Sequence, residues 1–313
     1  MVKNAVTTTY TYNNDNQLTA ELTNGVTTAY NYDNNGNLTS KAVGGSTTTY
    51  AWDWRNMLVS VTDSAGTTVY QYDGAGNRIN KTVSGVKTKY INDVGRGLTQ
   101  VLMETDNAGA VQAVYTYGND LISMYKAGAN SYYHYDGLGS VRQMTNSAGA
   151  VVKSYTYDGY GNVVASSGTV ANTYGFTGEQ QYAEADNLVF LRARYYNVSV
   201  GRFLTPDPLG VLVDGRRNNP FAPFDRFFYN KNLYEYVKNN PTNHTDPFGL
   251  LTCLQTCNKI YKIDVGICGA EFEADCLRLN PVGAVVGYIL CMHKARFDLT
   301  QCVAKCTAKD LEE

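Results

Sequence analysis

The chain has 313 residues, with 26 Lys and Arg against 28 Asp and Glu, so its formal net charge at pH 7 is -2. This balance argues against a broad phosphate-binding surface, and we expect no nucleic-acid partner. Charged residues make up only 17% of the sequence, whereas tyrosine occurs 26 times beside many Thr, Asn and Gly. Such a composition favours β-strands joined by tight turns, and is more typical of an extracellular protein than of a cytosolic enzyme.

The N-terminal residues and the apolar stretches predict neither a secretory signal nor a membrane span. Residues 1–4 run directly into polar, threonine-rich sequence. The longest uncharged apolar stretch, residues 282–292, is about half as long as the ~20 residues that a spanning helix needs. We therefore expect no transmembrane segment, and export by a dedicated system or within a longer chain.

The strongest internal signal is a tyrosine-rich repeat with a period of 20 residues, which loosens after Tyr90. Its mark is a pair of aromatic residues two positions apart, a spacing that places both on the same face of a strand. The pairs lie at residues 10 and 12, 30 and 32, 50 and 52, 70 and 72, 115 and 117, 133 and 135, and 155 and 157.

A turn motif rich in Gly and Asn follows the complete copies of this pair, at residues 34–37, 74–77, 137–140 and 159–162. Asp and Gly-Asn supply the Asx hydrogen bonds and the positive φ that a hairpin tip needs. Each unit is therefore predicted to be strand, turn, strand, and its tyrosine pair is predicted to stack on neighbouring copies. An array of this kind buries its faces only by stacking.

The period and motif resemble the YD repeats of Rhs proteins, teneurins and the C subunit of insecticidal toxin complexes. The resemblance implies a mainly β fold in which residues 1–173 form a YD-repeat β-hairpin spiral, a partial shell around a hollow. The alternative is a plain β-solenoid or stalk, belonging to a non-enzymatic adhesion or scaffold protein whose tyrosine-rich strands are contact surfaces.

From Tyr174 to Leu250 the sequence changes character and carries five linked motifs. They are YGFTGE at 174–179, LRARYY at 191–196, GRFLTPDPLG at 201–210, YEYVKNNP at 234–241 and DPFGL at 246–250. This run resembles the Rhs-associated core domain. In that family the core domain closes one end of the shell and cleaves its own chain once, as an aspartyl autoprotease.

The resemblance implies cleavage between Leu250 and Leu251, with Asp207 and Asp246 as the acid/base pair and Arg194 as their cationic partner. No cofactor or metal is implied. Two carboxylates held close together cannot both ionise, so one stays protonated while the other activates water. Asp-Pro pairs are also common turn starters, which leaves a purely structural role as the alternative.

Residues 211–232 form a segment longer than this family usually carries, and it lies between the two acids. A surface loop costs little free energy, so the insertion is compatible with an intact site. It is equally compatible with a displacement of Asp246 from Asp207. Both outcomes stay open at this point.

All seven cysteines lie in residues 251–313, and their spacing is mirrored about a turn signal at Asn280 and Pro281. Separations of 4 and 11 residues keep three cysteines on one face of a helix. We predict a small α-helical, disulfide-stapled hairpin in an oxidising compartment, with Cys276 free. The predicted bonds are Cys253–Cys306, Cys257–Cys302 and Cys268–Cys291. Zinc held by the four outer cysteines is the competing interpretation, and it leaves the inner pair without a purpose.

The resemblance also implies that this variable tail is the effector of a polymorphic toxin. The tail has one histidine, His293, and it shows no nuclease, deaminase or transferase motif. We expect a secreted or cell-surface protein. Its expected partners are the rest of a longer Rhs shell or a partner subunit, and a cognate immunity protein.

Overall fold

A computed structural model describes residues 7–95, 98–182, 186–208 and 232–250 of the chain. The chain divides into two compact units, Met1–Gly249 and Leu250–Glu313, and every element described below lies in the first. The predicted cysteine hairpin, its three disulfides and Cys276 lie outside the described residues, as does the insertion up to residue 231. Among the described residues no helix is long and apolar enough to cross a membrane.

Sixteen strands form one antiparallel sheet in which each strand pairs with its neighbours in sequence. This arrangement agrees with the predicted hairpin array, and the fold is mainly β. The strands are β1 Thr8–Tyr12, β2 Leu18–Thr23, β3 Val26–Tyr32, β4 Leu38–Val43, β5 Ser46–Trp52, β6 Leu58–Asp63, β7 Gly66–Tyr72, β8 Arg78–Val83, β9 Val86–Asp93, β10 Gln100–Thr105, β11 Val111–Tyr117, β12 Leu121–Lys126, β13 Ala129–Tyr135, β14 Val141–Thr145, β15 Val151–Tyr157 and β16 Val163–Gly168.

Each of the four predicted turns, at residues 34–37, 74–77, 137–140 and 159–162, is closed by the aspartate that precedes it. The Asp73 carboxylate accepts the backbone N–H groups of Ala75 and Asn77, each at 2.9 Å. Gly76 takes a φ of +86°, a conformation that glycine adopts without steric cost. The same pair of carboxylate bonds is made by Asp33, Asp136 and Asp158.

Tyrosines spaced 20 residues apart lie on the buried face of the large sheet, whereas Tyr10 and Tyr12 of the first strand are 45% and 46% exposed. Tyr30, Tyr50, Tyr70 and Tyr90 are each no more than 6% exposed. Their neighbours in the chain point to the other face, because side chains alternate along a strand. These four tyrosines form a ladder on the buried face, and later parts of the described chain pack against it.

A second, four-stranded antiparallel sheet packs on this ladder. Its strands are β17 Gln180–Tyr182, β18 Leu188–Leu191, β19 Arg194–Asn197 and β20 Arg202–Phe203, and short 3-10 turns lie at Phe176–Gly178 and Val237–Asn239. Leu188, Tyr195 and Leu204 join Tyr50 and Tyr70 in a single apolar cluster. The two sheets therefore share a core.

Arg78 of β8 is a buried cation between the two sheets. Its guanidinium lies 4.2 Å from the ring centroid of Phe190, 5.2 Å from that of Tyr90 and 5.5 Å from that of Tyr70. It also donates to the Tyr195 hydroxyl at 3.0 Å and to the side-chain oxygen of Gln180. Cations over desolvated aromatic faces are stabilising, so Arg78 ties β8 to the smaller sheet.

Tyr234 connects the last described segment to the first hairpins. Its hydroxyl donates to the Gly36 carbonyl at 2.7 Å and accepts from the Gln17 side chain at 3.2 Å. The Leu38 N–H donates to the Leu204 carbonyl at 2.9 Å nearby. Residues far apart in sequence thus meet beside the site described next.

Candidate active site

Arg194, Asp207 and Asp246 meet in the interior of the fold. One guanidinium nitrogen of Arg194, Nη2, donates to Asp207 Oδ2 at 3.0 Å and lies 3.6 Å from Asp246 Oδ2. The three residues are only 3%, 1% and 4% exposed. The structure therefore brings together all three residues that the sequence predicts for the site.

The rest of the Arg194 guanidinium is also engaged. Its plane lies over the Phe203 ring, 3.5 Å from the centroid. Nη1 donates to the Leu233 carbonyl at 3.0 Å, and Nε donates to the Gly249 carbonyl. Burial lowers the pKa of Arg194, and the two carboxylates oppose that shift. An arginine side chain stays protonated in proteins, so Arg194 remains a cation at this buried site.

Each aspartate is positioned by its own backbone. The Asp207 N–H donates to the Leu233 carbonyl at 2.9 Å. This hydrogen bond joins the chain just after β20 to the start of residues 232–250. Asp246 opens a turn closed by the Gly249 N–H at 3.2 Å. Asp246 therefore starts a turn, as the structural alternative predicts, while its side chain faces Arg194.

The backbone of residues 247–249 is held in register by residues 192–194. Three consecutive carbonyls accept three hydrogen bonds from three consecutive residues. The pairs are Arg192 Nη1 to Pro247 at 2.5 Å, Ala193 N–H to Phe248 at 3.2 Å, and Arg194 Nε to Gly249. The chain just before the predicted cleavage point is thus bound along the turn between β18 and β19.

Gly249 fits this register because it lacks a side chain. Its φ is +64°, and a Cβ there would lie 2.3 Å from the Leu191 carbonyl oxygen and 3.0 Å from the Arg194 nitrogen. Both contacts are with backbone, which cannot swing aside. The predicted scissile bond begins one residue later, at Leu250, and Leu251 lies outside the described residues.

Arg192 and Glu179 belong to the site although sequence reasoning did not single them out. Arg192 Nη1 pairs with Glu179 Oε1 at 2.8 Å. The one sequence signal for Arg192 is its position two residues before Arg194 in LRARYY. Glu179 ends the YGFTGE motif, but the motif does not reveal its partner, because that contact depends on how β17 and β18 are folded.

The described part of the chain holds no group of three or more His, Cys, Asp or Glu side chains that could bind a metal ion. The site itself consists of two carboxyl groups, one guanidinium and the backbone that they hold.

Family models match most of the repeat and core segments. The Teneurin YD-shell model matches residues 93–242, and the RHS Repeat model matches residues 32–68 and 52–86.

Similar curated proteins include toxins with much longer chains. The tRNA3(Ser)-specific nuclease WapA of Bacillus spizizenii is 36% identical over 154 residues, which are 48% of this chain and 6% of that protein. The double-stranded DNA deaminase toxin A of Burkholderia cenocepacia is 32% identical over 125 residues, 38% of this chain and 7% of that protein. The chain thus spans a small part of these relatives.

Among solved structures, the crystal structure of TcdB2-TccC3 superposes on 78% of this chain and 16% of its own chain, with a TM-score of 0.48 and 19% identity. The repeat motif, the sixteen-stranded hairpin sheet and the two family models agree with one another. The chain is an Rhs/YD-repeat protein.

Proposed function

We propose that residues 174–250 form a single-turnover aspartyl autoprotease, and that the protein is of the polymorphic-toxin type. Cleavage after Leu250 would free residues 251–313 from the shell. The main support is a pair of buried carboxyl groups, those of Asp207 and Asp246, which both lie beside the same guanidinium nitrogen of Arg194. Two such groups divide the work of acid and base, because close carboxylates do not both stay ionised.

The proposed reaction is hydrolysis of the peptide bond between Leu250 and Leu251. One carboxylate takes a proton from water as the water oxygen bonds to the Leu250 carbonyl carbon. The protonated carboxyl donates its proton to the Leu251 nitrogen as the C–N bond breaks. Arg194 supplies positive charge beside the developing oxyanion.

The position of the chain supports this assignment. Arg194 Nε holds the Gly249 carbonyl, and the proposed scissile carbonyl is the next one along the chain. Residues that bind substrate in register raise the rate by fixing the reacting atoms in place. The same arginine would therefore orient both the acids and the bond that they cleave.

Relatives support the effector part of the proposal. The WapA relative is named as a tRNA nuclease, and the Burkholderia cenocepacia relative is named as a double-stranded DNA deaminase toxin. The tail of this chain would carry the corresponding variable effector, stapled by the predicted disulfides. Export, a longer shell or partner subunit, and an immunity protein belong to the same proposal.

The test is the intact mass of the purified full chain and of two variants, Asp207→Asn and Asp246→Asn. Wild type is expected to give two fragments separated after Leu250, and the variants are expected to stay whole, with the rate reduced at least ~100-fold.

Asp136→Asn is the matched control. Its turn needs only the side-chain oxygen, which Asn146 supplies in the same way at an equivalent turn. A folded wild-type chain that stays intact, or equal cleavage of Asp207→Asn and wild type, would rule out the proposal.

A further inference from the structure

We infer that Arg192, held by Glu179, is a positioning residue that fixes the substrate segment of the autoprotease. This inference rests on the proposed function. It assigns to this ion pair the placement of Asp246 and of the bond to be cleaved, and it assigns no proton transfer to either residue.

A single nitrogen of Arg192 makes both contacts. Nη1 lies 2.8 Å from Glu179 Oε1 and 2.5 Å from the Pro247 carbonyl oxygen. The Glu179 backbone is itself fixed, since its N–H donates to Phe176 at 3.1 Å and its carbonyl accepts from Gly175 at 2.9 Å. The donor to Pro247 is thus anchored, through Glu179, to the short 3-10 turn that precedes β17.

The contact with Pro247 matters because proline has no N–H. Its carbonyl is the one backbone hydrogen-bonding group that it offers, and here that carbonyl receives a charged donor, the stronger kind. Pro247 follows Asp246 directly, so the hydrogen bond limits where the Asp246 backbone can lie.

The anchor at Pro247 acts directly on Asp246, its neighbour in the chain. The Asp246 carboxylate lies 3.6 Å from Arg194 Nη2, whereas that of Asp207 lies at 3.0 Å with good hydrogen-bond geometry. The Arg194 contact with Asp246 is thus longer than the one with Asp207, and the hydrogen bond at Pro247 adds a backbone constraint beside it. Small displacements of a reacting group are costly in rate, up to about 100-fold for an error of ~1 Å.

The experiment follows cleavage of the full chain after cell-free synthesis, at a temperature at which circular dichroism shows every variant folded. Arg192→Met and Glu179→Gln are expected to slow cleavage about 10- to 100-fold. Arg192→Lys is expected to recover part of the rate, because it keeps the charge and loses the planar fork. Arg142→Met, on β14 beside Tyr157, is the control and is expected to cleave as wild type does.

The pH profile separates positioning from chemistry. If Arg192 only places the substrate, the slowed variants keep the wild-type pH profile of cleavage. The double variant that combines Arg192→Met with Glu179→Gln is then no slower than Arg192→Met alone. A folded Arg192→Met chain that cleaves at the wild-type rate, or one whose pH profile shifts, would overturn the inference. The failure of the proposed function is seen in the wild-type chain, which would stay intact. The failure of this inference alone is seen in the Arg192→Met chain, while the wild-type chain cleaves.

Discussion

At the scale of single residues, the site is organised around the backbone at Gly249. A side chain there would collide with the Leu191 carbonyl, and the backbone takes a left-handed φ of +64°. Strain of this kind costs about 1–3 kcal/mol in an ordinary residue. Gly249 thus sets both the path of the chain and the direction of the carbonyl that Arg194 binds.

Gly249→Ala is expected to abolish self-cleavage, with a fall in rate of at least ~100-fold, because the added methyl group pushes residues 247–249 out of register. Fragment yield on a denaturing gel measures the effect. Gly74→Ala is the control, since a Cβ there meets nothing within 4 Å. Wild-type cleavage by Gly249→Ala would show that the register of this segment does not limit the reaction.

The three charged side chains of the site could be predicted from the sequence. Arg194, Asp207 and Asp246 stand in motifs of a known family, and the structure places them together. The carbonyls of Leu233 and Pro247 could not be predicted in the same way, because every residue has a carbonyl and the sequence does not reveal which one meets a donor. The ion pair of Arg192 and Glu179 escaped prediction for a related reason, since it depends on the fold of a short hairpin.

At the scale of elements, the repeats were predictable and the small sheet was not. In a strand with one buried face, buried and exposed residues alternate along the sequence. In β5, for example, Tyr50 is buried and the residues on either side of it are not. Strand β19, residues Arg194–Asn197, is buried at all four positions. A strand that is buried on both faces shows no alternation of apolar and polar residues in its sequence. The strands of the small sheet are also only two to four residues long, too short for such an alternation to be recognised.

The contact between the two sheets can be tested at Arg78. Arg78→Met is expected to lower the free energy of unfolding by about 2–4 kcal/mol, because it removes the cation–π contacts and the buried hydrogen bonds to Tyr195 and Gln180. Denaturation with urea, followed by circular dichroism, measures the change.

Ile79→Thr is the control for Arg78. Ile79 is the next residue of β8, faces the other side of the sheet and is 38% exposed. A loss at Arg78 no larger than at Ile79 would show that this cation does not hold the sheets together.

At the scale of the whole molecule, buried tyrosines make the fold sensitive to alkali. Burial raises the pKa of Tyr117 and of Tyr234 to about 12. It also raises the pKa of Tyr72 and of Tyr195, whose hydroxyls lie 3.0 Å apart. A phenol with a raised pKa in the folded state stabilises the fold fully below the unfolded value near 10. That stability is lost as the pH rises towards the folded value.

The free energy of unfolding is therefore expected to fall between about pH 10 and pH 12, by about 1.4 kcal/mol per pH unit for each such tyrosine. Urea titrations at a series of pH values measure the slope, and absorbance at the phenolate band reports ionisation. Buried phenols are expected to ionise together with unfolding. Full ionisation near pH 10 with the circular dichroism unchanged would contradict the assignment of these side chains to the interior.

The contacts of Tyr234 have a consequence for timing during synthesis. Each strand of the large sheet pairs with the strand made just before it, so that sheet can form progressively as the chain leaves the ribosome. Tyr234 instead closes on Gln17 and Gly36, which were made 217 and 198 residues earlier. Asp246 comes later still, and a nascent chain therefore has a sheet before it has a pair of acids. Under the proposed function, cleavage therefore takes place only in chains whose sheet and core have already formed.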